Sequence, residues 1–315
     1  MPPARMVDEG ARITKELITH YSKSGAELAA IWAPPGSGKT ALLISLASRM
    51  AYQVGRRLVK ETVIWRGRDE DNWHLIQGRK VCIFIHFLDS VSFVDVTGKE
   101  LENLTIFRYD TAYDIIANVK RGWVNVVYEP RNYVMDEELL EEIATKQFMD
   151  DVPKKVSRSF FIYELIYFFK EYKRSDDYFT FIIDEADEIF RMNAPYPQSR
   201  FQQWFKDACL RDMRKNKLSF IITFHDYREL DYGVLFKVTT KVYLPAAVIP
   251  PAKYSVIRKK DLAMTLNMGS YLIEKKGKFG IAEYDRVDTD NQVRAVWRHS
   301  PKPETPEMTV SVSHP

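Results

Sequence analysis

Cysteine is scarce in this chain. Two, Cys82 and Cys209, occur in 315 residues. They stand in apolar or helical surroundings far apart in the sequence. That excludes a disulfide framework and reads as two reduced core thiols. No Cys/His cluster has metal-ligand spacing. No run reaches the roughly 18 apolar residues that a membrane-spanning helix needs. The nearest, Phe160 to Phe169, is broken by Glu164 and reads as a helix buried on a sheet, with a docking face as the alternative. The start, Met1-Pro2-Pro3-Ala4-Arg5, has no apolar signal core. An excess of one charge is also lacking. Lys and Arg total 46 against 43 Asp and Glu, a net charge of +3. That excludes a strongly basic nucleic-acid coat and leaves only local patches for such contacts. With 45% hydrophobic residues, the composition fits a cytoplasmic globular protein: one large α/β domain with an insertion, or two small domains.

What is present begins with Ala33-Pro34-Pro35-Gly36-Ser37-Gly38-Lys39-Thr40. An apolar stretch, Leu28 to Trp32, precedes it. A helix-like stretch from Ala41 to Ala51 follows it. Strand, glycine-rich turn and helix in that order aim successive backbone N–H groups into one concavity. The helix N-terminus adds partial positive charge there. Both suit a polyphosphate. Residues 33–41 are the candidate nucleotide-binding segment, with Lys39 on the β- and γ-phosphates and the Thr40 hydroxyl on Mg²⁺. The run departs from G-x-x-x-x-G-K-[ST] at one place, where Ala33 replaces the first glycine.

A second signal is Tyr178 to Ile183, continuously apolar and closed by Asp184-Glu185-Ala186-Asp187-Glu188. It reads as a buried parallel strand that delivers carboxylates to its C-terminal edge. Asp184 is the candidate metal ligand, and Glu185 the residue that polarises the attacking water. Asp187 and Glu188 suit the first turn of a following helix. With Ala33–Thr40, this spells a P-loop ATPase with a catalytic glutamate. A third strand, Ser219 to Thr223, leads into Phe224-His225-Asp226. Thr223 and His225 are candidates to sense the γ-phosphate, although His225 reads equally as a loop histidine bonded to backbone. Ahead of that strand, Arg211 and Arg214 are candidate fingers for a neighbouring subunit's nucleotide, or solvated helix-end charges.

The order of these pieces, Ala33–Thr40, then Ile182-Ile183-Asp184-Glu185-Ala186, then Arg214 to Thr223, resembles the HerA/FtsK superfamily of DNA-pumping ATPases, which includes viral genome-packaging ATPases. It is also similar to the zonula occludens toxin-like assembly ATPases of filamentous phages. The likeness covers residues 26–53 and 176–245. In that superfamily an arginine and a basic residue lead into a strand ending Thr-Gln. Here Phe224 follows Thr223, so the glutamine is missing and His225 is its candidate substitute. The resemblance implies ATP and Mg²⁺ as cofactors and a self-assembled hexameric ring moving double-stranded DNA. It further implies viral genome packaging in the host cytoplasm, with a capsid or portal protein as a candidate partner. The alternative it implies is a morphogenesis ATPase driving extrusion at a membrane. A third reading, a slow ATP-binding signalling switch, sits poorly with Glu185, which a switch does not need.

The expected fold is therefore α/β, a P-loop NTPase of the additional-strand, catalytic-glutamate type. Its mainly parallel sheet is flanked by helices, with an insertion and a C-terminal β appendage. The expected boundaries are an N-terminal helix in 1–25, with Ile13, Leu17 and Ile18 at helical spacing, and an ATPase domain over 26–299. Within that domain we expect an insertion at about 60–175 and a hairpin at about 268–299. A disordered tail is expected over 300–315. Arg56-Arg57, Arg66 with Arg68, Arg258-Lys259-Lys260 and Lys275-Lys276-Lys278 are candidate DNA contacts or solvated faces. Trp65 and Trp73 read as base-stacking platforms or as core anchors.

Overall fold

The computed structural model describes residues 4–19, 26–52, 61–76, 80–147, 156–173 and 178–298. The Arg56-Arg57 pair and the segment 300–315 lie outside them. The strands are β1 (Leu28–Trp32), β2 (Glu61–Arg66), β3 (Glu70–Asp71), β4 (Val81–His86), β5 (Ser90–Val94), β6 (Ile106–Tyr109), β7 (Val124–Val127), β8 (Tyr178–Ile183), β9 (Leu218–Phe224), β10 (Thr240–Tyr243), β11 (Ser270–Lys275), β12 (Lys278–Glu283) and β13 (Val293–Arg298). The helices are α1 (Ala4–Thr19), α2 (Lys39–Tyr52), α3 (Ala112–Asn118), α4 (Glu137–Gln147), α5 (Phe161–Tyr172), α6 (Gln198–Trp204) and α7 (Tyr232–Lys237).

Ten strands form one sheet in the order β12-β11-β10-β1-β9-β8-β2-β7-β4-β6. From β10 to β6 every neighbouring pair is parallel, and β11 and β12 add an antiparallel edge. β8 and β9 are buried at every position, as central parallel strands covered on both faces must be. That is why both read as unbroken apolar runs rather than alternating ones. β9 is inserted between β1 and β8, so their C-terminal ends open onto a common edge with β9 between them. The aromatic run of α5 is buried against this core, Phe169 packing edge-on to Phe181 of β8.

The antiparallel hairpin is shorter than the sequence suggested. It ends at Glu283, and β13 pairs instead with β3 and β5 in a separate sheet. Trp297 fixes that placement. Its indole N–H donates to Asp69 Oδ1 at 2.9 Å, and the Arg131 guanidinium lies 4.2 Å over its ring. Between β2 and β4, Glu70 and Asp71 contribute the two-residue β3 to this sheet.

α1 docks on the β11–β12 hairpin, burying Ile13, Leu17 and Ile18, with the Thr14 and Tyr271 hydroxyls bonded at 2.7 Å. Two glycines permit the close approach. A Cβ added to Gly280 would lie 2.2 Å from Gly10 N and 2.4 Å from Met6 O. A Cβ added to Gly10 would lie 2.1 Å from Ile281 O. Backbone faces backbone there, so no flexible side chain can give way. Gly280→Val is expected to cost about 3 kcal/mol, the upper range for overpacking. Urea unfolding with an unchanged midpoint would show that this contact contributes nothing to stability.

Candidate active site

The turn between β1 and α2 carries Gly36 at φ +75° and Gly38 at φ +91°, both in the left-handed region that glycine alone enters freely. Ala33, at the place of the missing glycine, is buried and its N–H donates to Phe224 O at 3.3 Å, so the methyl group fits without distorting the loop. The Lys39 ammonium lies inside the loop's curl. It donates to Ala33 O at 2.6 Å and contacts His225 Nδ1 at 2.9 Å. An ammonium only donates, so His225 Nδ1 accepts and its ring proton sits on Nε2. Burial lowers the Lys39 pKa, opposed by the nearby charges of Asp184 and Glu185. Ser37 closes the turn through a hydroxyl bond to Pro34 O.

Asp184 and Glu185 stand at the C-terminal end of β8, beside the end of β9. Thr223 on β9 couples them. Its hydroxyl donates to Asp184 Oδ1 and accepts the Glu185 N–H at 3.0 Å. Glu185 has φ +51°, a left-handed conformation that a non-glycine residue adopts at a cost. Asp187, one turn on, has its pKa raised by burial, and its Oδ1 has no hydrogen-bond partner. Glu229 closes the loop after β9, accepting from the N–H groups of His225 at 3.2 Å and Asp226 at 3.1 Å.

Arg68, just past the end of β2, reaches across the same edge. Its guanidinium hydrogen-bonds the Glu185 carboxylate and lies 3.8 Å from Asp184 Oδ2. Its backbone N–H donates to Asp71 Oδ2 at 3.1 Å. Burial pushes the Asp71 carboxyl up to about 7. The loop and the acids open into one cavity of about 510 Å³, which Lys39, Thr40, Arg68, Asp184, Glu185 and His225 all line. One further wall comes from Trp65, Glu70, Asp71 and Asn72, and another from the C-terminal segment with Met268, Gly269, Tyr284 and Arg286. Among the described residues no group of three or more His, Cys, Asp or Glu side chains could hold a metal ion unaided. A hydroxyl and a carboxylate at Thr40 and Asp184 are hard oxygen donors of the kind that hold Mg²⁺ jointly with phosphate and water.

The chain has the architecture of a P-loop NTPase. The strand order β10-β1-β9-β8-β2, with the loop after β1 and the acids after β8, decides it. No family model matches the chain, and no curated protein matches it. Among solved structures it is similar to the genome packaging NTPase B204 from Sulfolobus turreted icosahedral virus 2 in complex with sulfate. That likeness has 15% identity over 83% of this chain and 98% of the other, with a TM-score of 0.47. It is also similar to the N-terminal domain of zonular occludens toxin from Neisseria meningitidis, at 13% identity over 89% of this chain and 96% of the other, TM-score 0.35. A further similarity is to EssC ATPases 2 and 3 from Geobacillus thermodenitrificans, at 14% identity over 86% of this chain and 39% of the other, TM-score 0.35.

Residues expected at the site from the sequence are brought together, except the two arginines. Thr223 and His225 both lie there, Thr223 on the acids and His225 on Lys39. Arg211 and Arg214 precede β9, whose seven residues span about 20 Å at ~3.3 Å each, so they lie at the opposite sheet edge from their own chain's loop. Both are exposed.

Several candidate nucleic-acid contacts are corrected by burial. Trp65 and Trp73 are core residues, their indole N–H groups donating to Asp71 Oδ2 at 3.1 Å and Tyr128 Oη at 2.9 Å. Arg66 is buried between Glu129 at 2.7 Å and Glu188 at 2.8 Å. Lys275 is buried on Glu27 and Glu16. Arg258, Lys259, Lys260, Lys276 and Lys278 remain exposed, Lys260 with its ammonium on the backbone carbonyls of Pro250 and Ile257. Arg68 was read as a surface charge and is instead the cation of the acidic edge. Its only sequence signal was a charged turn after a strand.

Proposed function

We propose that this chain hydrolyses ATP in a Mg²⁺-dependent reaction, and that as an oligomeric ring it uses the reaction to move double-stranded DNA, most simply in packaging a viral genome. The observation that carries the hydrolytic part is the convergence of the loop, the β8 acids and His225 on one cavity. In this reading the amides of Gly36–Lys39 cradle the phosphates, and Lys39 neutralises the β- and γ-oxygens. Thr40 and Asp184 would hold Mg²⁺, which supplies positive charge against the phosphate oxygens. Glu185 orients a water and takes its proton as the new bond to the γ-phosphorus forms and the bond to the bridging oxygen of ADP breaks. Thr223 holds Asp184 and the Glu185 backbone in register, and His225 holds Lys39. Arg214, or Arg211, would act in a neighbouring subunit's site.

The DNA part rests on the order of motifs along the chain, and its test is direct. ATP turnover is measured with and without linear double-stranded DNA over a range of salt, with Lys39→Ala as the blank. Stimulation that fades as salt rises is expected, because phosphate contacts release counterions. Turnover indifferent to nucleic acid would remove DNA as the substrate and point to protein assembly at a membrane. Among the described residues no helix is long and apolar enough to cross one.

A further inference from the structure

The motifs account for the phosphate end of the cavity and say nothing of what the C-terminal segment does there. Met268 is 46% exposed, yet its methyl carbon comes within 3.9 Å of where a Cβ on Gly38 would stand. Arg286 is exposed, and no carboxylate pairs with it among the described residues. Its side chain passes close to Gly269, where an added Cβ would be 2.6 Å from Nε and 3.4 Å from Cγ and Cζ. Gly269 is at φ +93° and leaves the guanidinium its space. The segment beyond is held in place, because the Asn72 amide donates to Thr289 O at 3.1 Å and Asn291 O at 3.3 Å. An exposed thioether and an unpaired planar cation thus stand on one wall of a phosphate cavity. Both chemistries suit the face of an aromatic ring: sulfur packs against ring carbons, and a guanidinium stacks on the π-surface.

Resting on the nucleotide reading above, we propose that Met268 and Arg286 clamp the nucleobase of the nucleoside triphosphate whose phosphates the loop holds. Recognition is through the base's faces and not its edges. The clamp therefore favours purines over pyrimidines by contact area and separates adenine from guanine only weakly. Tyr284, largely buried with its hydroxyl against Gly38, is a positioning residue that sets the height of the loop against this wall.

The test titrates the full chain with Mg-ATP, Mg-CTP and inorganic tripolyphosphate, which has no base. Arg286→Lys keeps the charge and loses the plane, while Met268→Ala removes the thioether. Both positions are exposed, so both variants fold. Each is expected to weaken ATP about tenfold, as loss of one stacking partner does, with tripolyphosphate unchanged and the ATP preference over CTP narrowed. Equal losses for ATP and tripolyphosphate would make these residues phosphate contacts and overturn the clamp. Unchanged ATP affinity would place the base elsewhere and overturn it too. A parent chain that binds tripolyphosphate normally keeps the loop reading whatever the variants do. One that binds neither ligand overturns the loop reading and the clamp with it.

Discussion

Glu185→Gln is expected to slow ATP hydrolysis by about 10²- to 10³-fold while leaving ATP binding intact, the loss usual for a removed general base. The substitution is chosen for what it keeps. Glutamine has the same length, and its amide oxygen still accepts from Arg68. The Glu185 backbone N–H bond to Thr223 survives at its 3.0 Å distance, so β8 and β9 stay in register. What is lost is the ability to take a proton. Single-turnover hydrolysis together with nucleotide titration separates the two effects. A variant that binds ATP and turns it over at the parental rate would remove Glu185 from the chemistry. The same pair gives Arg68 its meaning. A guanidinium already on the carboxylate competes with water for it, so Arg68 must either swing aside or share the oxygen when water is aligned. Its place beside Asp184 as well as Glu185 makes it a positioning residue for both acids.

The parts of this site legible in the sequence are those whose chemistry is local. Gly36, Gly38, Lys39 and Thr40 stand within one turn. Asp184 and Glu185 directly follow a run of β-branched and aromatic residues that can only be a buried strand. Thr223 was legible for the same reason, as the last polar residue before the end of β9. Contacts made by register across the sheet were not. Arg68 and Glu185 are 117 positions apart, and their meeting depends on β2 lying beside β8, which neither segment declares. Trp65 read as a base-stacking platform or as a core anchor, and the structure bears out the core anchor, because β2 is buried at every position, Arg66 included through its ion pairs. Lys275 misled, since a run of lysines in a hairpin hides which of them faces Glu27. The wall made by Met268, Tyr284 and Arg286 has no motif at all. It exists because β11 pairs with β10 and β10 with β1, which sets the hairpin's edge of the sheet two strands from the one that leads into the loop.

Gly38→Ala is expected to weaken ATP by about 100-fold, and Gly36→Ala by about tenfold, although both glycines have positive φ. The shared part is conformational. An L-residue in the left-handed region costs roughly 1–2 kcal/mol, and the loop can meet the phosphates only in that conformation, so the cost appears in binding. The difference is space. Nothing lies within 4 Å of a Cβ at Gly36, whereas one at Gly38 would stand 2.1 Å from the Tyr284 hydroxyl oxygen and 3.3 Å from its Cζ. The methyl group must push either the tyrosine or the loop, and the loop is the part without a packed core behind it. The overlap is with one atom, which makes the account separable. Tyr284→Phe removes the hydroxyl and leaves Cζ in tight but tolerable contact. Gly38→Ala combined with Tyr284→Phe is therefore expected to recover affinity to about the level of Gly36→Ala and no further, because the φ cost remains. Calorimetric titration of the four proteins closes the cycle. Additive losses, with no recovery in the double variant, would show that Tyr284 does not set the loop's height and that the glycine is needed for its backbone freedom alone.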